Sequence, residues 1–284
     1  MFSLIRKNPI PLFLALIIAA ALPSAPALAG ETIVIGGTGS ALGSMKLIAA
    51  AFEKSHPGVQ VRIMPSLGSS GAIKAVSKGA LGLGLTSRSL KNDELRLGLS
   101  AVEYARTPFI PVAHRNVPAS GVSTAEVVDI YKSHLLSWSN GERIRLIIRP
   151  ATETDTALVR SISPAMSAAV DVALLREGLL MALTDQDSVE MLESTPGSFG
   201  FSTLAQIVSE KRQLKILSFN GLQPGKTTLE RSAYPLAKTL SIVTRTSPAA
   251  PVRQFVDFLF SAKGKRILED SGNIAVPRSA GGLH

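Results

Sequence analysis

Past its first thirty residues the chain alternates between short β-branched runs and longer stretches whose apolar residues recur at helical spacing. Thr32, Ile33, Val34 and Ile35 form a compact run that predicts a buried strand. It ends at Gly36-Gly37-Thr38-Gly39-Ser40, after which Leu42, Met45, Ile48, Ala51 and Phe52 mark one helix face, stopped by His56-Pro57-Gly58. A second strand is expected over 59–64. The loop Ser66-Leu67-Gly68-Ser69-Ser70-Gly71 then opens a helix carrying Ile73, Ala75 and Val76. A third strand falls at 81–86, with Ser87-Arg88-Ser89 at its C-terminal end. Three strand–loop–helix units in series predict a doubly wound α/β lobe, and in such lobes ligands gather outside the carboxyl ends of the strands.

The same reading places strands at 109–113, 145–148, 197–201, 214–219 and 240–244. It places helices at 124–131, capped by Ser123, and at 157–161, 167–183, 188–193, 251–260 and 263–270. Tyr131 and Trp138 read as packing residues of the second half. No internal repeat or long low-complexity linker interrupts the pattern.

The first thirty residues follow a different rule. Arg6 and Lys7 precede an apolar stretch over 11–22, and Ala27-Leu28-Ala29 supplies the small residues of a cleavage site. Residues 1–29 are therefore expected to be a signal peptide, giving a soluble periplasmic protein that begins at Gly30 or Glu31. The chain has no Cys, which excludes a lipid-anchored lipoprotein, a disulfide and a thiolate nucleophile. After removal of the leader, 28 basic residues face 21 acidic ones. That excess suits an anionic ligand; export argues against nucleic acid, and the scattered Lys and Arg also suit a solvated surface.

Three loops share one design: a strand ends, glycines relax the backbone, and a Ser or Thr stands where the next helix begins. Helix N-termini present unpaired N–H groups and a partial positive charge, so they hold oxyanions, and hydroxyls nearby complete a cage. The plain alternative is that Ser40, Ser69 and Thr154 are ordinary helix caps. Arg149 at a strand end offers a bidentate grip on an anion; its other reading is a surface ion pair with Glu142 or Glu153. Arg88 carries the same ambiguity. Enzyme signatures are weak. Gly68-Ser69-Ser70-Gly71-Ala72 misses a nucleophile elbow because Ala72 stands where its second Gly belongs. No His/Asp/Glu motif has metal-ligand spacing, so neither a cofactor nor catalysis is expected.

These motifs, taken in order, resemble the substrate-binding subunits of phosphate ABC transporters, which are type II periplasmic binding proteins. Gly37-Thr38-Gly39-Ser40 resembles the family's first phosphate loop, Gly68-Ser69-Ser70-Gly71 its second, and Leu83-Gly84-Leu85-Thr86-Ser87-Arg88 its third. The stretch from Thr124 to Trp138, the loop from Arg149 to Thr156, Pro196-Gly197-Ser198-Phe199-Gly200-Phe201 and Tyr234-Pro235-Leu236 follow in family order. The resemblance implies two doubly wound α/β lobes joined by two crossing strands, with lobe 1 at 30–110 and 237–284 and lobe 2 at 111–236. It implies a monomeric receptor that closes on inorganic phosphate or a similar oxyanion and delivers it to ABC permease subunits. The alternative is an oxyanion sensor of the same fold that reports to a signalling partner. Carried over by position, the ligand contacts are Thr38, Gly39, Ser40, Ser69, Ser70, Gly71, Ser87, Arg88, Arg149, Thr154, Asp155 and Thr156. Two positions depart from the pattern. Arg88 stands where well-studied phosphate binders place an Asp that accepts the ligand's proton. Asp155 interrupts the Ser-Gly-Thr loop, and it either points to solvent or replaces the missing acceptor.

Overall fold

A computed structural model describes residues 31–231 and 234–278; the expected signal peptide lies outside the described residues. The chain begins with β1 (Glu31–Gly37), α1 (Gly39–Ser55), β2 (Val59–Ile63), α2 (Gly68–Ser77), β3 (Leu83–Thr86) and the short α3 (Asn92–Leu95). A 16-residue strand, β4 (Leu99–His114), then leads to β5 (Gly121–Val122), α4 (Thr124–Lys132), β6 (Arg145–Ile148), α5 (Thr154–Ser161), α6 (Pro164–Leu174) and β7 (Leu180–Met181). Next come α7 (Asp185–Ser194), β8 (Ser198–Thr203), α8 (Leu204–Ser209), β9 (Leu214–Ile216), β10 (Ser218–Phe219) and α9 (Lys226–Glu230). The return strand β11 (Ala237–Arg245) precedes α10 (Ala250–Phe260), α11 (Ala262–Asp270) and β12 (Ile274–Ala275).

The strands line up in the order β2-β1-β3-β11-β4-β8-β6-β7. Within the first half β1 runs parallel to β2 and β3, and within the second β6 runs parallel to β7 and β8. The antiparallel β4 joins them. Its first part pairs with β11, from Leu99↔Arg245 to Pro108↔Ala237, and its second with β8, from Phe109↔Thr203 to Ala113↔Phe199. Two long strands thus lie between the halves, and each half has its own apolar core. Ile35, Met45, Phe52, Leu83, Tyr104, Ile242 and Phe255 fill one; Phe109, Tyr131, Trp138, Ile147, Val170, Leu192, Phe199 and Phe219 fill the other. Tyr131 and Trp138 are packing residues, as their place in the chain suggests.

At the end of β1, Gly37 lies so close to β3 that a Cβ there would come within 2.0 Å of the Leu85 carbonyl oxygen. The next residue uses that carbonyl: Thr38 N–H donates to Leu85 O at 3.0 Å. This close approach aims the chain into α1.

Three expected elements are corrected. The helix expected over 167–183 starts at Pro164 and ends at Leu174, because Gly178 turns at φ 67° and the chain re-enters the sheet as β7. The apolar tail that made the longer helix plausible is partly in water, Leu175 being 86% exposed. The strand expected over 214–219 is two pieces, β9 on β4 and β10 on β5. The strand expected at 109–113 is only the second half of β4. Its first half is interrupted by half-buried Glu103 and exposed Arg106, which pair at 2.6 Å and disguise the run.

Thr107 sits on β4 beside the junction of the halves, fully buried. Its hydroxyl donates to Gly272 O and accepts from Ala205 N–H, both at 3.0 Å. Thr107→Val should strand both partners and destabilise the protein by about 1–3 kcal/mol, seen as a lower urea midpoint at unchanged slope.

Candidate functional site

Helix N-termini need acceptors for their first N–H groups. Helices α4, α6, α7, α8 and α11 obtain one from the hydroxyls of Ser123, Ser163, Thr184, Thr203 and Ser261. The three helices that follow the candidate loops do not, and neither do α3, α9 and α10. Thr38, Leu67 and Glu153 precede α1, α2 and α5, and none makes a side-chain capping bond. Ser40, Ser69 and Thr154 are therefore not N-caps; their hydroxyls serve contacts between segments. Ser69 Oγ accepts from Ser87 N–H at 3.0 Å and lies 3.2 Å from Ser87 Oγ, which reaches Thr154 Oγ1 at 2.8 Å across the two halves.

The N-terminus of α1 is filled by a carboxylate from the other half. Gly39 N–H donates to Asp185 Oδ2 at 2.8 Å, Ser40 Oγ donates to Asp185 Oδ1 at 2.8 Å, and Thr38 Oγ1 stands 3.5 Å from Oδ2. The contact is tight, since a Cβ at Gly39 would sit 2.7 Å from that of Asp185. Lys238, from the start of β11, lies against the same group. Its ammonium donates to Ser40 Oγ at 2.6 Å, to Asp185 Oδ1 at 3.2 Å and to Asp155 Oδ1. Lys238 is 2% exposed, Asp185 5%, and Asp155 and Arg149 6% each.

Arg149 forms the far wall. It donates to Ala182 O at 2.7 Å and to Glu153 Oε2 at 3.3 Å, while its buried Nε–H has no protein acceptor. The surface ion-pair reading is thus corrected: Glu153 is the partner, but the guanidinium is buried. Thr156 Oγ1 donates to the carbonyls of Arg149 and Pro150, both at 2.9 Å, closing the loop on itself. Asp155 is likewise not solvent-facing. Arg88 stays in its own half, with both terminal nitrogens on Glu94 at 2.7–2.8 Å and one also on Ser70 Oγ at 3.1 Å. Gly71 lies in the first turn of α2. The expected set therefore divides. Thr38, Gly39, Ser40 and Asp155 converge on one cluster; Ser69, Ser87 and Thr154 form a hydroxyl chain beside it; Arg149 and Thr156 back it; Ser70 and Arg88 bond to each other, and Gly71 stays within the first turn of α2.

Burial alone would push Asp185 up, but the charges of Lys238 and Arg149 and the Ser40 bond outweigh it and hold Asp185 below the ordinary carboxylate range. For Asp155 burial and the repulsion of Asp185 prevail over Lys238, so its pKa is raised. Burial would lower Lys238; the two carboxylates reverse this and keep it charged. Behind the cluster lies a cavity of about 20 Å³ beside Tyr131, Arg149, Asp155 and Ser188, room for a water molecule but not for a tetrahedral oxyanion. Among the described residues no group of His, Asp and Glu is placed to hold a metal ion.

Two halves around a shared antiparallel pair, with facing helix N-termini between them, define a class of solute-binding folds, and the chain belongs to it: a PBP superfamily domain matches residues 23–263. Among its relatives is the phosphate-binding protein PstS of Borreliella burgdorferi, 22% identical over 216 residues, covering 74% of this chain and 77% of that protein. A putative phosphate ABC transporter substrate-binding protein from Clostridium perfringens, solved with bound phosphate, superposes with a TM-score of 0.72 at 19% identity, over 87% of this chain and all of that one. An ABC-type phosphate transport receptor from Vibrio cholerae does so at 0.59 and 20% identity, over 86% of this chain and 99% of that one.

Lys238 and Asp185 are absent from the expected set, yet they hold its centre. Lys238→Met should leave two buried carboxylates facing each other and cost about 3–5 kcal/mol in chemical denaturation. Adding Asp185→Asn should recover part of that loss, and a double-mutant cycle measures the coupling.

Proposed function

We propose that this chain is a periplasmic solute-binding protein that takes inorganic phosphate, or a kindred oxyanion, between its halves and hands it to an ABC importer. The observation that carries this reading is the set of three helix N-termini, α1, α2 and α5, that meet between the halves without capping side chains of their own. Donors left uncommitted by their own chain segments suit a ligand rich in acceptors. The Arg149 Nε–H, buried and without a protein acceptor, adds a charged donor to the same wall. The reported relatives are named for phosphate binding or phosphate transport, and none for catalysis.

The halves are read as lobes, 30–110 with 237–284 and 111–236, hinged on β4 and β11. The partners in this reading are ABC permease subunits in the inner membrane, met by a monomer released from its signal peptide. Asp155 takes the part of the acidic acceptor that Arg88 does not play: it is buried, its pKa is raised, and it lies at the N-terminus of α5. A carboxylate there tolerates a ligand that carries a proton and repels one that does not, which favours phosphate over sulfate near neutral pH.

Calorimetry of ligand-stripped protein against phosphate, sulfate, molybdate and arsenate tests the reading. Phosphate should bind in the micromolar range, about −8 kcal/mol, and raise the melting temperature by mass action. A shift with another oxyanion and none with millimolar phosphate would reassign the ligand. Arg149→Ala should cost roughly 2–4 kcal/mol of binding. Arg88→Ala should cost less, because Arg88 is committed to Glu94. Equal losses would remove Arg149 from the site.

A further inference from the structure

The α1 N-terminus already holds an anion, and it is part of the protein. Asp185 meets three donors there, the Gly39 amide and the hydroxyls of Ser40 and Thr38. The two sides belong to different halves, since α1 packs in the core with Ile35 and Phe52 and α7 in the core with Phe199 and Leu192. Lys238 and Arg149 carry the positive charges into this space, and Asp185, Asp155 and, on Arg149, Glu153 supply carboxylates to meet them, so the cluster's cations are partnered without any solute. A free oxyanion entering such a cluster intact would add uncompensated negative charge beside two carboxylates. It is accommodated only if one carboxylate leaves. Asp185 is the one placed to do so: it fills the α1 N-terminus of the opposite half, whereas Asp155 meets that half through Lys238 and lies on the same strand–loop–helix segment as Arg149.

We infer that Asp185 is a tethered anion that latches the two halves together in the absence of solute, and that the oxyanion binds by exchange, taking over the Gly39 amide, the Ser40 hydroxyl and the Lys238 ammonium as Asp185 withdraws. The latch itself follows from the contacts; the exchange rests on the reading of the protein as an oxyanion receptor. Exchange makes the apparent Kd exceed the intrinsic one by the inverse of the unlatched fraction. Asp185 therefore sets affinity without touching the bound solute.

The natural chain has no Cys, so a pair of introduced cysteines is the sole attachment point for spin labels. Lys46 on α1 and Glu190 on α7 are both exposed and line opposite sides of one groove between the halves. With labels at Lys46→Cys and Glu190→Cys, electron–electron double resonance without phosphate should give one short distance for the otherwise unaltered chain. Asp185→Ala and Asp185→Asn should each shift the population to a longer distance. Gly39→Ala supplies a second route that leaves every charge in place. Its methyl would lie 2.2 Å from Gln186 Oε1 and 2.7 Å from Asp185 Cβ, so it should wedge the same contact open. Asp187→Asn removes a charge two residues along the helix and should leave the short distance unchanged. Without the labels, phosphate should bind Asp185→Ala at least tenfold more tightly than the parent. Unchanged distances in the Asp185 and Gly39 variants would overturn the latch. A lengthened distance with weaker phosphate binding would overturn the exchange. A lengthened distance with no phosphate binding to parent or variant would sustain the latch and remove phosphate as the solute.

Discussion

The arrangement turns on one buried ammonium. An unpaired Lys at 2% exposure is not a stable state, because desolvating the charge costs far more than the fold can return. Lys238 therefore requires acceptors, and Asp155, Asp185 and Ser40 come from three different helix N-termini. Satisfying one side chain fixes where α1, α5 and α7 begin relative to β11. Because β11 is bonded to β4 along nine register pairs, the constraint passes to the strand that joins both halves. Such clusters add little net stability over an apolar replacement. Their effect here is geometric: they specify how the halves meet.

Much of this was legible in the chain. The runs of β-branched residues, the glycine loops and the helical spacing after each loop identify β1 to β3, β6 and β8 because local preference and burial agree there. The Ser and Thr positions between the halves were also visible, since they punctuate that pattern. Lys238 was not. In Ala237–Arg245 it shares a face with Leu240 and Ile242 but stands at the strand's start, where a charge reads as the end of the apolar run, and nothing local reveals that this end closes against two helix ends. Asp185 was equally hidden, because it fell between the helices expected over 167–183 and 188–193, and an acid just ahead of a helix already has a sufficient explanation in the helix's own field. Only the pairing of β11 between β3 and β4, and the placement of α7 opposite α1, bring the two charges together. Both are facts of topology, and neither is encoded in spacing along the chain.

Arg88 and Asp155 illustrate the reverse case, in which family resemblance and local chemistry point apart. An Arg at the family's acceptor position suggests a lost proton acceptor. Its guanidinium is in fact committed within its own half to Glu94, whose pKa that bond, with help from the Lys91 amide and against the opposing effect of burial, holds at about 2. The position is thus structural rather than part of the cluster. In the proposed reading the acceptor lies instead at Asp155, where the Ser-Gly-Thr pattern is broken. Each departure looks like damage when taken alone. Together they amount to one carboxylate moved from the third loop of the first half to the α5 loop of the second.

That relocation has a consequence for selectivity. A carboxylate on the first half would meet a solute whether or not the halves were together, since it would travel with α1 and α2. In the proposed reading Asp155 travels with α5 and Arg149, so it meets the solute's proton only when the second half closes. Discrimination and closure then become the same event. A solute without a proton makes its contacts with α1 and α2 but meets the Asp155 charge on closing, so its bound state is the open one. In the proposed reading binding and closure separate for the wrong anion, whereas in the solute-free chain Asp185 takes the solute's place between the halves.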